Sequence, residues 1–441
     1  MKTIVLALLL IAAASVCAAP MLTKEDIEIV DYRARIVPDL AAKTISGTTT
    51  IRFKSTRIAE GDGPIEIAFP LNALMIKAAR FNGAAVSFQL RSADSSRDLI
   101  VSVKTSGVGV DELAVDYHAK PAEGLKFGGN YLYTAFSTCH WMLCREASGD
   151  KATFRLELIV PSTFKVVASG AARSQDLLAG GLTLHTWEQQ RPYSPYLFGF
   201  AAGEMTEVVA QTPTTTLRFM GVGQTTAELK LKFKDTARML RFFEEKAGGA
   251  LPHKTYTQVL LPGSEAQEAS TFSLIGRDQL DPILTDPQED WVIAHELAHQ
   301  WWGNLITCKD WSHFWLNEGL TVFMVAAYKE QRFGPAAYAR EITLAKKRRQ
   351  QAVSANFDVP LAFSGTYPSL AIKRAVAYSK GFLFVDVLRQ RLGDEKFWKA
   401  IKSYTQAQLG KTADSRDLQR AMEAAGGESL DDLFREWVYP L

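Results

Sequence analysis

His295 and His299 stand four residues apart in VIAHELAHQWWGN, residues 292–304, and a glutamate, Glu296, follows the first histidine. On an α-helix four residues advance about 400°, so the two imidazoles would sit roughly 40° apart, one turn above the other. Both can then reach a single ion about 2 Å from each ring nitrogen. Glu296 lies about 100° round from His295, better placed to hold a water beside an ion than to bind the ion. A core helix with two hydrogen-bonded histidines would show the same five residues, so the reading turns on a third ligand. Glu318, in FWLNEGLTVF, lies nineteen residues after His299. A loop over about 304–312 and a second helix would carry it back to the first. Its surroundings are apolar and aromatic, where a carboxylate needs a cationic partner or a proton. Three protein ligands and one open position make the pattern of a hydrolytic zinc site. Trp291, Trp301, Trp302, Trp311 and Trp315 crowd the same region and read as core walls that dry the site.

A chain of 441 residues exceeds one ordinary core, and two or three domains are expected. From about 24 to 208 the patterning has period two. Phe154, Leu156, Leu158 and Val160 alternate with Arg155, Glu157 and Ile159 until Pro161, and Thr44–Lys54 and Leu99–Val103 look similar. Such runs, separated by Gly, Pro, Asn and Asp, predict antiparallel sheets. After about 212 the texture changes. TLRFMGVG (216–223) precedes a helix from Asp235 to Lys246, capped by Asp235 and ended by Gly248-Gly249. YTQVLLPG (256–263) and TFSLIG (271–276) are further strands, and helices dominate from about 287. Asp414 and Ser429 occupy N-cap positions, the latter with Asp432 three residues on. The expected architecture is α+β and multidomain, with an N-terminal antiparallel β-sheet domain over 19–208 and a mostly helical domain over 209–441. The boundary falls near 206–214.

The formal charge of +2 predicts no polyanionic partner. The basic run Lys346-Lys347-Arg348-Arg349 reads as a solvated helix face rather than a nucleic-acid surface. The first twenty residues, MKTIVLALLLIAAASVCAAP, have the layout of a secretory leader, one early cation, an apolar run and small residues. Cleavage after Ala18 is expected, with lipid attachment at Cys17 as the alternative, and no stable membrane insertion after removal. Export to a periplasmic or extracellular site follows. Three cysteines then remain, and Cys139 and Cys144 are either bridged or two buried thiols.

HELAH, eighteen intervening residues and then Glu within NEG resembles the gluzincin zinc aminopeptidases (family M-one), which include alanyl aminopeptidases and leukotriene-A hydrolase. VIAHELAHQWWGNLIT and WSHFWLNEGLTVF carry the match. Ala377-Tyr378-Ser379-Lys380-Gly381 is similar to the family's tyrosine motif. KATFRLELIVPSTFKVVASG (151–170) and YLFGFAAGEM (196–205) are similar to its β-domain, and LFREWVYP to the close of its catalytic domain. The resemblance implies a thermolysin-like catalytic domain in a short form lacking the C-terminal helical domain. It implies one Zn2+ per chain held by His295, His299 and Glu318, with Glu296 as general base and Tyr378 as oxyanion donor. The implied reaction is hydrolysis of the N-terminal peptide bond of peptides with a free N-terminus. The chemistry agrees, since Glu296 can take a proton from the attacking water and return it to the leaving amine. A phenol can supply the second donor that a tetrahedral oxyanion needs.

An aminopeptidase needs a fixed carboxylate for the protonated α-amine. In the family that carboxylate is the Glu of a Gly-x-Met-Glu-Asn motif, and here the stretch reads Glu265-Ala266-Gln267-Glu268-Ala269. Glu268 is kept, and Gln267 and Glu268 are the substrate-binding candidates, with Glu265 as a competing anchor. Val325 stands where the family often has a Glu supporting a zinc histidine, so that support must come from elsewhere. The side-chain pocket would be lined by segments near Thr134–Trp141 and Gly263–Phe272. Without a closing domain the cleft should be open and select weakly on peptide length, or a partner subunit covers it. A thermolysin-type zinc endopeptidase and an inactive peptidase-fold binding protein are the alternative readings, and the oligomeric state is left open.

Overall fold

A computed structural model of the chain describes residues 26–55, 64–93, 96–106 and 109–439. The stretch expected to be a leader, its expected cleavage position and Cys17 lie outside the described residues. The first part of the chain is built on an eight-stranded sheet. Its central strands are Ile27–Asp39, Thr44–Ser55, Asp111–Ala119 and Ala152–Pro161. Asp111–Ala119 shows the expected alternation in strict form, with every second residue buried. Ala152–Pro161 buries Phe154, Leu156 and Leu158 to 1% exposure or less. Pairing is antiparallel except between Ile27–Asp39 and Ala152–Pro161, which run parallel with Tyr32 opposite Phe154. That pair joins segments far apart in sequence, so no local turn constrains its direction. Four-stranded and three-stranded sheets complete this half.

The second half opens on a five-stranded sheet. Thr216–Val222, Thr255–Leu261 and Phe272–Gly276 run parallel, and Met205–Gln211 and Ala266–Gln267 close the edges antiparallel. Met205–Gln211, which spans position 208, is paired along its whole length with Thr216–Val222. Helices follow, and the architecture is α+β, a β-sheet part followed by a mostly helical part. The helix expected from Asp235 runs over Thr236–Ala247 and ends on Gly248 at φ 78°. Asp235 does not cap it. Asp235 is itself in helical conformation, its backbone carbonyl takes the Arg238 amide, and its carboxylate faces Arg238 and Arg332. Asp414 does cap its helix, accepting from the amides of Arg416 and Asp417. Ser429 is not an N-cap: Leu430 holds that position before the last helix, Asp431–Trp437, and the Ser429 hydroxyl one residue earlier accepts from the Asp431 amide.

Cys139, Cys144 and Cys308 are buried thiols, and Cys139 donates to Glu146 at 2.8 Å rather than bridging to Cys144. Among the described residues no helix is long and apolar enough to cross a membrane.

Candidate active site

The metal helix is Trp291–Ala298, continued by His299 in helical conformation. Every residue from Val292 to Ala298 is buried, so the helix runs through the core rather than along its surface. The chain then turns sharply at Gly303, whose φ is 129° and where an added Cβ would stand 2.7 Å from His299 Nδ1. Only glycine fits there. The second helix, Trp315–Phe333, carries Glu318 in its first turn. A third segment, a π-helical turn over Arg374–Lys380, carries Tyr378. Gly319 and Gly381 bring these two helices together: a Cβ on Gly319 would lie 2.8 Å from Gly381 Cα. The glycines of NEG and SKG therefore let the Glu318 and Tyr378 backbones approach closely.

The expected ligands converge. His295 Nε2 and His299 Nε2 are 3.0 Å apart, and Glu318 Oε2 lies 3.5 and 3.4 Å from them. Four-coordinate zinc with bonds near 2.05 Å separates neighbouring donors by about 3.3 Å, so the triangle has the size that zinc requires. His299 Nδ1 donates to the Trp302 carbonyl at 2.9 Å, which leaves the Nε2 lone pair of the neutral ring facing the centre. Thr321 Oγ1 donates to the same carbonyl at 3.0 Å. This is the orienting support that Val325 cannot give. Glu318 Oε2 and Glu296 Oε2 are buried without a hydrogen-bond partner among the described residues.

The electrostatics ask for positive charge. Burial alone would lower the pKa of His299, but Glu318, Glu268 and Glu296 outweigh it and raise it to about 10. Burial alone would raise Glu318, and the facing histidines hold it well below the usual carboxylate range. His295 is lowered, by burial first and then by His299. Burial pushes Glu296 well above the carboxylate range, and the negative charges of Glu268 and Glu318 add to the rise. Glu268 is raised for the same first reason, opposed by His299. A carboxylate-rich, nearly dry site of this kind fits a divalent cation.

Tyr378 stacks on His295 with ring centroids 6.2 Å apart and planes 13° apart. Burial, then Glu318 and Glu268, push its phenol well above the usual value, so it stays protonated and can donate. Glu268 is buried at the edge of the same site. Glu265 is turned away: it accepts from Tyr133 Oη at 2.9 Å and faces Lys126. Gln267 does not present its amide to the cleft. Its Oε1 accepts from the Phe136 amide at 2.8 Å and its Nε2 donates to the Tyr196 carbonyl at 3.2 Å. Gln267 instead joins the two segments expected to line the side-chain pocket, where Phe136 and Ser137 both have positive φ. Of the five tryptophans, Trp301, Trp302 and Trp315 are core walls, whereas Trp311 is 44% exposed.

Sequence reasoning did not single out the polar frame. Gln300 binds the Thr271 amide and the Ala269 carbonyl, and Asn304 Nδ2 donates to the Glu268 carbonyl. Asn317 accepts from the Cys308 amide and donates to Tyr196 Oη. Lys151, whose pKa burial lowers to about 7, donates to the carbonyls of Asn304 and Leu305. Gln300, Asn304 and Asn317 sit inside the quoted motifs, where a polar residue in an apolar run was the available signal.

Fold and site together present the ligand set of a two-histidine, one-glutamate metal centre. Residues 231–437 match the Peptidase family M1 domain. Aminopeptidase M1-C of Oryza sativa subsp. japonica is 25% identical over 445 residues, covering 92% of this chain and 49% of the relative. Leucine aminopeptidase 2 of Emericella nidulans is 29% identical over 322 residues, covering 67% of this chain and 50% of the relative. The chain thus spans about half the length of these curated relatives. The fold is shared with an M1 zinc metallopeptidase from Deinococcus radiodurans (TM-score 0.75, 22% identity, 94% of each chain). It is also shared with yeast LTA4 hydrolase (TM-score 0.79, 20% identity, 94% of this chain and 68% of that one).

Proposed function

We propose that the protein is a zinc aminopeptidase that removes the first residue of peptides with a free N-terminus. One observation carries the reading. Three carboxylates, Glu268, Glu296 and Glu318, share one buried site, and each feels the charge of another. A zinc ion at His295, His299 and Glu318 answers part of that negative charge. A substrate ammonium at Glu268 answers the rest, because Glu268 forms no ion pair among the described residues while Glu265 faces Lys126. When bound, the zinc supplies Lewis-acid polarisation of the peptide carbonyl and activation of water.

The chain's own residues do the remainder. Glu268 grips the α-ammonium and so sets the scissile bond one residue from the end. Glu296, whose burial raises its proton affinity, holds the proton of the attacking water and passes it to the leaving nitrogen. Tyr378 Oη donates to the oxygen on which charge develops. The leader reading adds export to this proposal. A matched pair of peptides, Leu-Gly-Gly-Phe and its N-acetyl form, tests it by mass spectrometry. Release of leucine from the free peptide alone is expected. Internal cleavage of the acetylated peptide, or no cleavage of either, would overturn the reading.

A further inference from the structure

Two cations stand on the turn just before Tyr378 without acidic partners. Lys373 is half-buried, its Nζ 4.2 Å from the centroid of the Phe314 ring, and forms no ion pair among the described residues. Arg374 beside it is exposed and equally without an acid. The i to i+5 repeat of the π-helical turn places Lys373 one turn below Tyr378. Phe314 joins them, since it also meets the Tyr378 ring edge-on at 6.2 Å. Their charge reaches the cleft: Lys373 acts on Glu268, and Arg374 on His295 and Tyr378. Lys373 also lines a cavity of about 500 Å³ walled by Trp311, Phe314, Phe363 and Tyr367. The acid on that cavity, Asp310, is spent on the amide and hydroxyl of Ser312. The neighbouring Lys380, by contrast, is paired with Asp358 at 3.1 Å.

We infer that Lys373, with Arg374, receives a carboxylate of the peptide substrate. This rests on the aminopeptidase reading of the same site and narrows its substrate class. A cleft holding three carboxylates would otherwise repel an acidic substrate, and an ammonium on an aromatic face with its N–H groups unspent is built to meet an anion. The carboxylate belongs either to the side chain of an acidic first residue or to the C-terminus of a short peptide.

Two substrate pairs differing only in that charge separate the sources: Glu- against Gln-aminomethylcoumarin, and trialanine against its C-terminal amide. The wild type should favour the charged member of one pair by about fivefold to tenfold in kcat/KM, and the pair that responds identifies the source. Lys373→Met combined with Arg374→Gln should bring that ratio to about one, while Lys373→Arg should keep it. Equal rates within both pairs, or a preference that survives the double substitution, overturn the inference and leave the aminopeptidase reading standing. No hydrolysis of any of the four overturns both.

Discussion

Gln300 ties the metal helix to the segment that presents Glu268, and its removal has a magnitude that follows from the structure. The side chain is fully buried, its Oε1 3.1 Å from the Thr271 amide and its Nε2 3.1 Å from the Ala269 carbonyl. Thr271 is β-branched yet has φ 70°, a conformation that persists only where neighbours hold it. In Gln300→Leu the Ala269 carbonyl keeps Asn304 as a donor, but the Thr271 amide is left buried and unpaired. An orphaned amide costs about 1–3 kcal/mol and a lost net hydrogen bond about 0.5–1.5 kcal/mol. The expected destabilisation is therefore about 2–4 kcal/mol, read from urea unfolding of the two proteins. Relaxation of Thr271 would also shift Glu268, so KM for a free-amine peptide should rise at least severalfold. A leucine variant within about 0.5 kcal/mol of wild type would refute the reasoning.

Two further outcomes follow from the same geometry. Glu296→Gln should keep its metal and its fold but lose turnover by several orders of magnitude, since an amide cannot take the proton of the attacking water; metal analysis with kinetics checks both, and near-normal turnover would exclude Glu296 as the base. Asp290, at the start of the metal helix, is fully buried with neither carboxylate oxygen hydrogen-bonded, and burial raises its pKa to about 7. Its unfolded value is about 4, so folding takes up a proton between these pH values and the contribution of this group to stability is lost as pH rises through 7. Asp290→Asn should therefore gain in Tm relative to wild type at pH 8 compared with pH 4.5, and a difference that does not change with pH would refute this.

The metal triad was legible because its geometry is set by short spacings: four residues on one helix, and a glutamate on the next. Tyr378 and Glu268 were legible only through motif resemblance, since nothing in their local patterning places them beside His295. Gln267 too was chosen by motif resemblance alone, and its bonds to the Phe136 amide and the Tyr196 carbonyl depend on segments far away in sequence. The strands Thr44–Ser55, Ser96–Val103, Ala152–Pro161, Thr216–Val222, Thr255–Leu261 and Phe272–Gly276 were readable from period and punctuation. The parallel pairing of Tyr32 with Phe154 was not, since direction there depends on long-range packing. The π-helical turn that sets Lys373 beneath Tyr378 has no sequence signature of its own, and an ordinary helix would have been expected. Asp235 shows the same limit on a small scale, because it cannot cap where its own backbone has already turned helical, which the preceding turn decided.

The account rests on one ion gripped by three side chains, and anomalous diffraction from crystals of the purified protein at the zinc edge observes it directly. The predicted result is a single peak about 2.0–2.2 Å from the Nε2 atoms of His295 and His299 and from a Glu318 oxygen. Protein that hydrolyses peptides at full rate with no zinc peak there, or with the peak at other residues, would contradict it.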